Sequence, residues 1–202
     1  MSKVQVDTID TRSGTSTMQI GSTNTSTINI GVSGDTVNIP SGVTIANAGT
    51  ATGFGGDNTP YFHVYLGSDQ NATSMSTVKV AFNTEVYDTA NAYDNSTNYR
   101  YTPTTAGFYK FYTGVTYYAD SSNLDFNKVT IKMNGSTVIG GAEVDMRSNR
   151  GRQMTGVAQC IQQMNGSSDY IEIYSFVASN GGSSAFESEN RATYFGGYKL
   201  IT

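Results

Sequence analysis

What this sequence has little of narrows it first. A single cysteine, Cys160, rules out an internal disulfide. It reads as a small buried hydrophobe in a strand with Val157 and Ile161. Tryptophan is absent, and histidine occurs once, at His63. Catalytic triads and zinc sites draw on histidine, so one histidine in the alternating run Tyr61, His63, Tyr65 reads as structural. Charged residues make up only 14% of the chain, so the surface has to be built from Ser, Thr, Asn, Gly and Tyr. The net charge of −4 leaves no basic excess to neutralise phosphates, which speaks against nucleic-acid binding. No apolar run is long enough to span a bilayer, so no membrane insertion is expected. The opening Met1-Ser2-Lys3-Val4-Gln5-Val6 lacks the apolar core of a signal peptide. The expectation is a chain made and left in a cytoplasm, or released from it by lysis.

Three stretches of different composition are present, and they set expected domains of 1–12, 13–56 and 57–202. Residues 1–12 hold Lys3, Asp7, Asp10 and Arg12 among Val4, Val6 and Ile9, and read as an attachment segment. From 13 to 56 the only charge is Asp35 and the only aromatic is Phe54. A weak repeat runs Thr17-Met18-Gln19-Ile20-Gly21, Thr27-Ile28-Asn29-Ile30-Gly31 and Thr36-Val37-Asn38-Ile39-Pro40, with Val43-Thr44-Ile45 as a degenerate fourth unit. Each unit reads as a short alternating strand closed by Gly or Pro, at a spacing of about ten residues, within the reach of β-helical rungs. Two apolar side chains per rung cannot offset an ordering cost of about 1–2 kcal/mol per residue. Three copies wound about one axis supply the missing surface, with Ile20, Ile30, Ile39 and Ile45 at the centre. The other reading is a flexible Ser/Thr/Gly linker.

Residues 57–202 carry nine strand candidates between turn signals and no helical periodicity, which means a sandwich or jelly roll. The informative stretch is Phe82 to Phe111. It contains Asn91-x-Tyr93-Asp94, then Tyr101-x-Pro103, then Gly107-x-Tyr109-x-Phe111. Pro103 ends an extended run because proline lacks the N–H a ladder needs, and Gly107 closes the turn that follows. Lys132-Met133-Asn134-Gly135, Ser168-Asp169-Tyr170-Ile171 and Tyr194-Phe195-x-Gly197-Tyr198-x-Leu200 come downstream. This ordered set, over roughly Pro60 to Thr202, resembles the globular head of the C1q/TNF superfamily. The resemblance implies a ten-stranded jelly roll that packs as a tight homotrimer. The expected architecture is therefore all-β, an intertwined trimeric β-stalk followed by a C1q/TNF-like jelly-roll head.

Chemistry is sparse. Carboxylates are scattered without a histidine partner, and no catalytic residue and no enzyme activity are expected. Asp120 and Asp125 flank an oxygen-rich loop that is a candidate calcium site, although its spacing is not that of an EF-hand; no other cofactor is expected. Arg147, Arg150 and Arg152 form the one basic cluster. They either contact acidic sugars or lipopolysaccharide phosphates, or bridge to Glu143 and Asp145. The loops at 68–76, 87–98, 119–126 and 179–191, with Tyr87 and Tyr93, have the composition of adaptable recognition surfaces and equally of plain exposed loops.

An attachment start, a threonine-rich stalk and a jelly-roll head together resemble a bacteriophage fibre or spike protein. The expected partners are two further copies of the chain, other virion proteins bound through Val4, Val6 and Ile9, and a host-surface glycan or protein. The alternatives are a capsid-decorating head fibre without a dedicated receptor, a capsule depolymerase with a paired-carboxylate groove, and a bacterial surface adhesin.

Overall fold

A computed structural model of the chain describes residues 20, 23–24, 26–46, 58–121 and 123–201. The chain divides into two units, Met1–Ala51 and Thr52–Thr202.

In the first unit the described residues form turns and extended segments without a strand. The turns fall at the expected repeat boundaries: Asp35 N–H donates to the Val32 carbonyl (3.0 Å), and Val43 N–H to that of Pro40 (3.2 Å). The Asp35 carboxylate closes the first turn by accepting the Val32 N–H at 2.8 Å. Among the described residues the expected rungs form no strand, and Ile20, Ile30, Ile39 and Ile45 are all exposed, between 46% and 69%. Val4, Val6 and Ile9 lie outside the described residues.

Among the described residues the second unit is a two-sheet antiparallel sandwich of thirteen strands. The first sheet holds β1 (Tyr61–Tyr65), β2 (Gln70–Asn71), β4 (Thr84–Asp88), β7 (Gly107–Ala119), β10 (Gln153–Met164), β12 (Ser184–Phe186) and β13 (Tyr194–Lys199). The second holds β3 (Ser76–Lys79), β5 (Tyr93–Asp94), β6 (Arg100–Tyr101), β8 (Leu124–Met133), β9 (Thr137–Asp145) and β11 (Ile171–Ser179). The long strands fall where alternation predicts them. Four others, β2, β4, β5 and β12, fall outside the strand candidates; β2, β5 and β12 lie inside the stretches read as loops, and β4 runs into one. Asn134 and Gly135, at φ of 53° and 76°, form the tight turn between β8 and β9 that the Asn-Gly dipeptide signals.

β7 organises the sandwich. Its inward positions Tyr109, Phe111, Val115 and Tyr117 are all fully buried. Around them Phe62 stacks on Tyr101 at 4.0 Å between centroids and meets Phe195 edge-on at 4.9 Å. The two sheets are also tied by a polar chain: the Ser175 hydroxyl donates to the Lys128 carbonyl at 3.0 Å, so the Tyr117 hydroxyl 2.5 Å away is left to donate to Ser175. Cys160 is half-buried against the core and is not on one face with Val157 and Ile161. Three positions from 157 to 160 is an odd step along a strand, so Val157 and Ile161 point outward instead. Burial pushes the Cys160 thiol up to about 11.

Among the described residues the buried Tyr101 hydroxyl finds no hydrogen-bond partner, whereas that of Tyr117 does. Tyr117→Phe is therefore expected to cost about 1 kcal/mol, and Tyr101→Phe to be neutral or stabilising. Urea denaturation midpoints of the two variants check this; equal losses would contradict it.

Candidate functional site

The outward face of the first sheet is built by the registers of β4, β1, β13, β7 and β10. Directly opposed residues of antiparallel strands share a face, so the pairings lay out three rows. One runs Tyr61, Tyr198, Lys110, Ile161. The next runs Tyr87, His63, Gly196, Tyr112, Gln159. The third runs Tyr65, Tyr194, Gly114, Val157. In these rows six tyrosines and the single histidine meet one lysine.

Two glycines let the tyrosine rings lie close against the sheet. A Cβ on Gly196 would lie 2.5 Å from the Tyr112 ring, and one on Gly114 would lie 2.7 Å from that of Tyr194. Each tyrosine thus lies down over a glycine of the neighbouring strand, a sheet device in which the ring covers the exposed backbone.

His63 sits among these rings, with centroids of Tyr194, Tyr87 and Tyr112 at 5.8, 5.9 and 6.0 Å. Its Nδ1 lies 3.3 Å from the Tyr112 hydroxyl. Tyr61 meets Tyr87 edge-on at 5.3 Å. Burial is the main cause that lowers the His63 pKa, and the positive charge of Arg191 adds to it. Arg191 comes from the short turn Glu189–Arg191, where Asn190 and Arg191 both take left-handed backbone (φ 53° and 56°). This puts its guanidinium 4.7 Å above the Tyr65 ring at one end of the face. Burial also pushes Tyr112 up to about 12. Lys110 is the one lysine or arginine in these rows, and Arg191 stands at their edge. A face so poor in charge is suited to packing against another apolar surface.

The residues expected to bind ligand do not form one site. Tyr87 belongs to the tyrosine face and is 44% exposed. Tyr93 is only 5% exposed and stacks on Phe62 at 5.8 Å, so it is a core residue and is not offered to a ligand. Asp88 causes this: its carboxylate accepts the N–H groups of Ala92 (2.6 Å) and Tyr93 (2.7 Å) and turns the chain inward. Arg147 is bridged to Asp145, as the neighbouring carboxylate suggested, and holds that carboxyl down at about 2. Glu143 pairs instead with Lys128, at 3.6 Å. Arg150 bridges to Asp125. Arg152 lies over the Tyr118 ring at 5.1 Å and donates to its hydroxyl at 2.9 Å. Asp120 accepts the Ser183 N–H at 3.2 Å, and Asp125 is engaged by Arg150. Among the described residues no group of three or more His, Cys, Asp or Glu is placed to hold a metal ion.

The tyrosine face was not foreseen. Its signal was the alternation of Tyr61, His63 and Tyr65, read as one strand without the registers that bring Tyr87, Tyr112, Tyr194 and Tyr198 alongside.

Neither a protein-family model nor a curated protein matches the chain. Among solved structures it is similar to murine APRIL in a crystal structure at pH 5.0, with a TM-score of 0.50 and 13% identity. The match covers 69% of this chain and 98% of that one. The head is a TNF/C1q-like jelly roll. A further match is Eiger TNF from S. frugiperda, with a TM-score of 0.47 and 12% identity over 70% of this chain and 90% of that one.

His63 gives the head a pH dependence with a defined sign. Its protonated form is disfavoured in the fold, so below its ordinary value of 6.5 the unfolded chain takes up the proton more readily and stability falls with pH. The unfolding temperature is expected to drop between pH 7.5 and pH 5. His63→Phe should reduce that drop in calorimetry, whereas an unchanged drop would show that His63 does not titrate in this window.

Proposed function

We propose that the chain is a homotrimeric structural protein of a bacteriophage virion, a fibre or spike that is anchored through its N-terminus and presents the jelly-roll head to a host-surface glycan or protein. The observation that carries the reading is the uncovered tyrosine face. In one copy Tyr61, Tyr87, Val157 and Ile161 all remain 40–59% exposed on the same side of one sheet. A contiguous apolar, aromatic surface with few charges has the composition of an interface core. Identical chains closing around a threefold axis cover it without leaving an open end.

The first unit supports the same number of copies. Its exposed isoleucines recur with the repeat, and three chains wound together bury them against one another. Val4, Val6 and Ile9 are assigned to contact with other virion proteins. The work of such a protein is binding and not turnover, and weak contacts from three heads add by avidity. The phage context rests on the order of the parts: a threonine-rich repetitive segment poor in charge, followed by a compact head.

Light scattering of the whole chain and of a piece starting at Asp57 tests assembly. Trimers of both are expected, and monomers of both would refute the reading. Val157→Arg puts a charge on the face without touching the core, so it should convert the head piece to monomers while leaving its circular dichroism unchanged.

A further inference from the structure

The second sheet also leaves an unusual outer face. Its outward rows are Thr77, Phe176, Lys128, Glu143 and Ala178, Phe126, Asp145. Phe126 and Phe176 therefore stand diagonally on the solvent side of adjacent strands, edge-to-face at 5.9 Å. They form the shared wall of two shallow depressions of about 390 and 420 Å³. The first extends toward Thr77, Lys128 and Glu143, the second toward Met75, Asp125 and Arg147. Both volumes lie in the range of about 300–1,000 Å³ typical of small-ligand sites.

Two further features mark this face. Met75 is held in left-handed backbone (φ 65°), which an unbranched apolar side chain adopts only when its surroundings impose it. Its N–H is fixed to the Val177 carbonyl at 2.8 Å, and its side chain is left 71% exposed at the rim of the second depression. The charges at the rim are also matched. Lys128 faces Glu143 in the first depression, and Arg147 and Arg150 face Asp145 and Asp125 around the second.

We propose that this groove binds a neutral oligosaccharide chain. Aromatic rings at the centre offer a platform to the apolar C–H face of a sugar ring. Each ion pair at the rim presents a donor and an acceptor side by side, the combination that a pair of neighbouring hydroxyls satisfies. A charged ligand would gain from one member of each pair what it lost to the other. Two depressions of similar size on either side of one aromatic wall fit a chain of repeating units better than one compact molecule. The site lies on the opposite sheet from the tyrosine face, so trimer closure through that face leaves it open. The inference rests on the reading of the head as an attachment module and names the surface and the ligand chemistry.

The test uses the full chain and immobilised hexasaccharides of glucose, mannose and galactose, with uronate hexasaccharides as acidic comparators. Binding to at least one neutral series is expected. It should weaken by about tenfold or more, the effect of losing a good contact, in F126A/F176A and equally in T77R, which blocks the groove from an exposed position and spares the aromatic pair. Circular dichroism confirms that T77R is folded. Retained binding in both variants would overturn this site while leaving the attachment head intact. Binding of the uronates alone would overturn the neutral chemistry. Binding of no saccharide by the unmodified chain would overturn the site and the glycan-attachment reading together.

Discussion

The register of β7 against β13 and β10 is the constraint on which the rest of the head depends. One strand of thirteen residues supplies Tyr109, Phe111, Val115 and Tyr117 to the core on one side and Tyr112 to the outer face on the other. A shift of one residue would exchange these sets and place a row of core aromatics in water. Gly197 helps to fix that register. A Cβ there would meet the Phe111 ring at 2.7 Å and the Lys110 carbonyl at 2.9 Å, so only glycine lets β13 sit this close to β7. No covalent cross-link supports the arrangement, since Cys160 is the only cysteine.

From this register follow two faces with different chemistry. The first sheet shows the solvent side a layer of tyrosines, two of them lying over glycines, with few charges. The second shows a grooved surface of phenylalanines set between ion pairs. The proposed assembly uses the tyrosine face, where surfaces poor in charge meet with little repulsion. The proposed recognition uses the grooved one, where donors and acceptors remain available. Separating the two on opposite sheets lets a trimer form without consuming its binding surface.

The fold was legible in the sequence where patterns are local. Alternation located β1, β7, β11 and β13, and Asn134-Gly135 located the hairpin between β8 and β9. The short strands β2, β4, β5 and β12 were not legible, because at two to five residues they show no clear alternation and their strand character comes from the partner they meet. Tyr93 was misplaced for a similar reason. Its neighbours read as loop, and only the carboxylate of Asp88, five residues earlier, turns it into the core. The pairing of Arg147 with Asp145 was readable from proximity in the chain, but that of Arg150 with Asp125, 25 residues away, was not. Neither outer face was visible as a surface, since each is assembled from strands far apart in sequence.

The tyrosine-over-glycine pairs carry a consequence for how this head can change. At Gly196 and Tyr112, and again at Gly114 and Tyr194, the ring occupies the space that a side chain on the partner would need. Neither position of a pair can vary alone: a larger residue at 196 displaces the ring at 112, and a smaller one at 112 bares the backbone at 196. Two strands are coupled at each pair, and His63 touches both rings. The face therefore changes as a block or not at all.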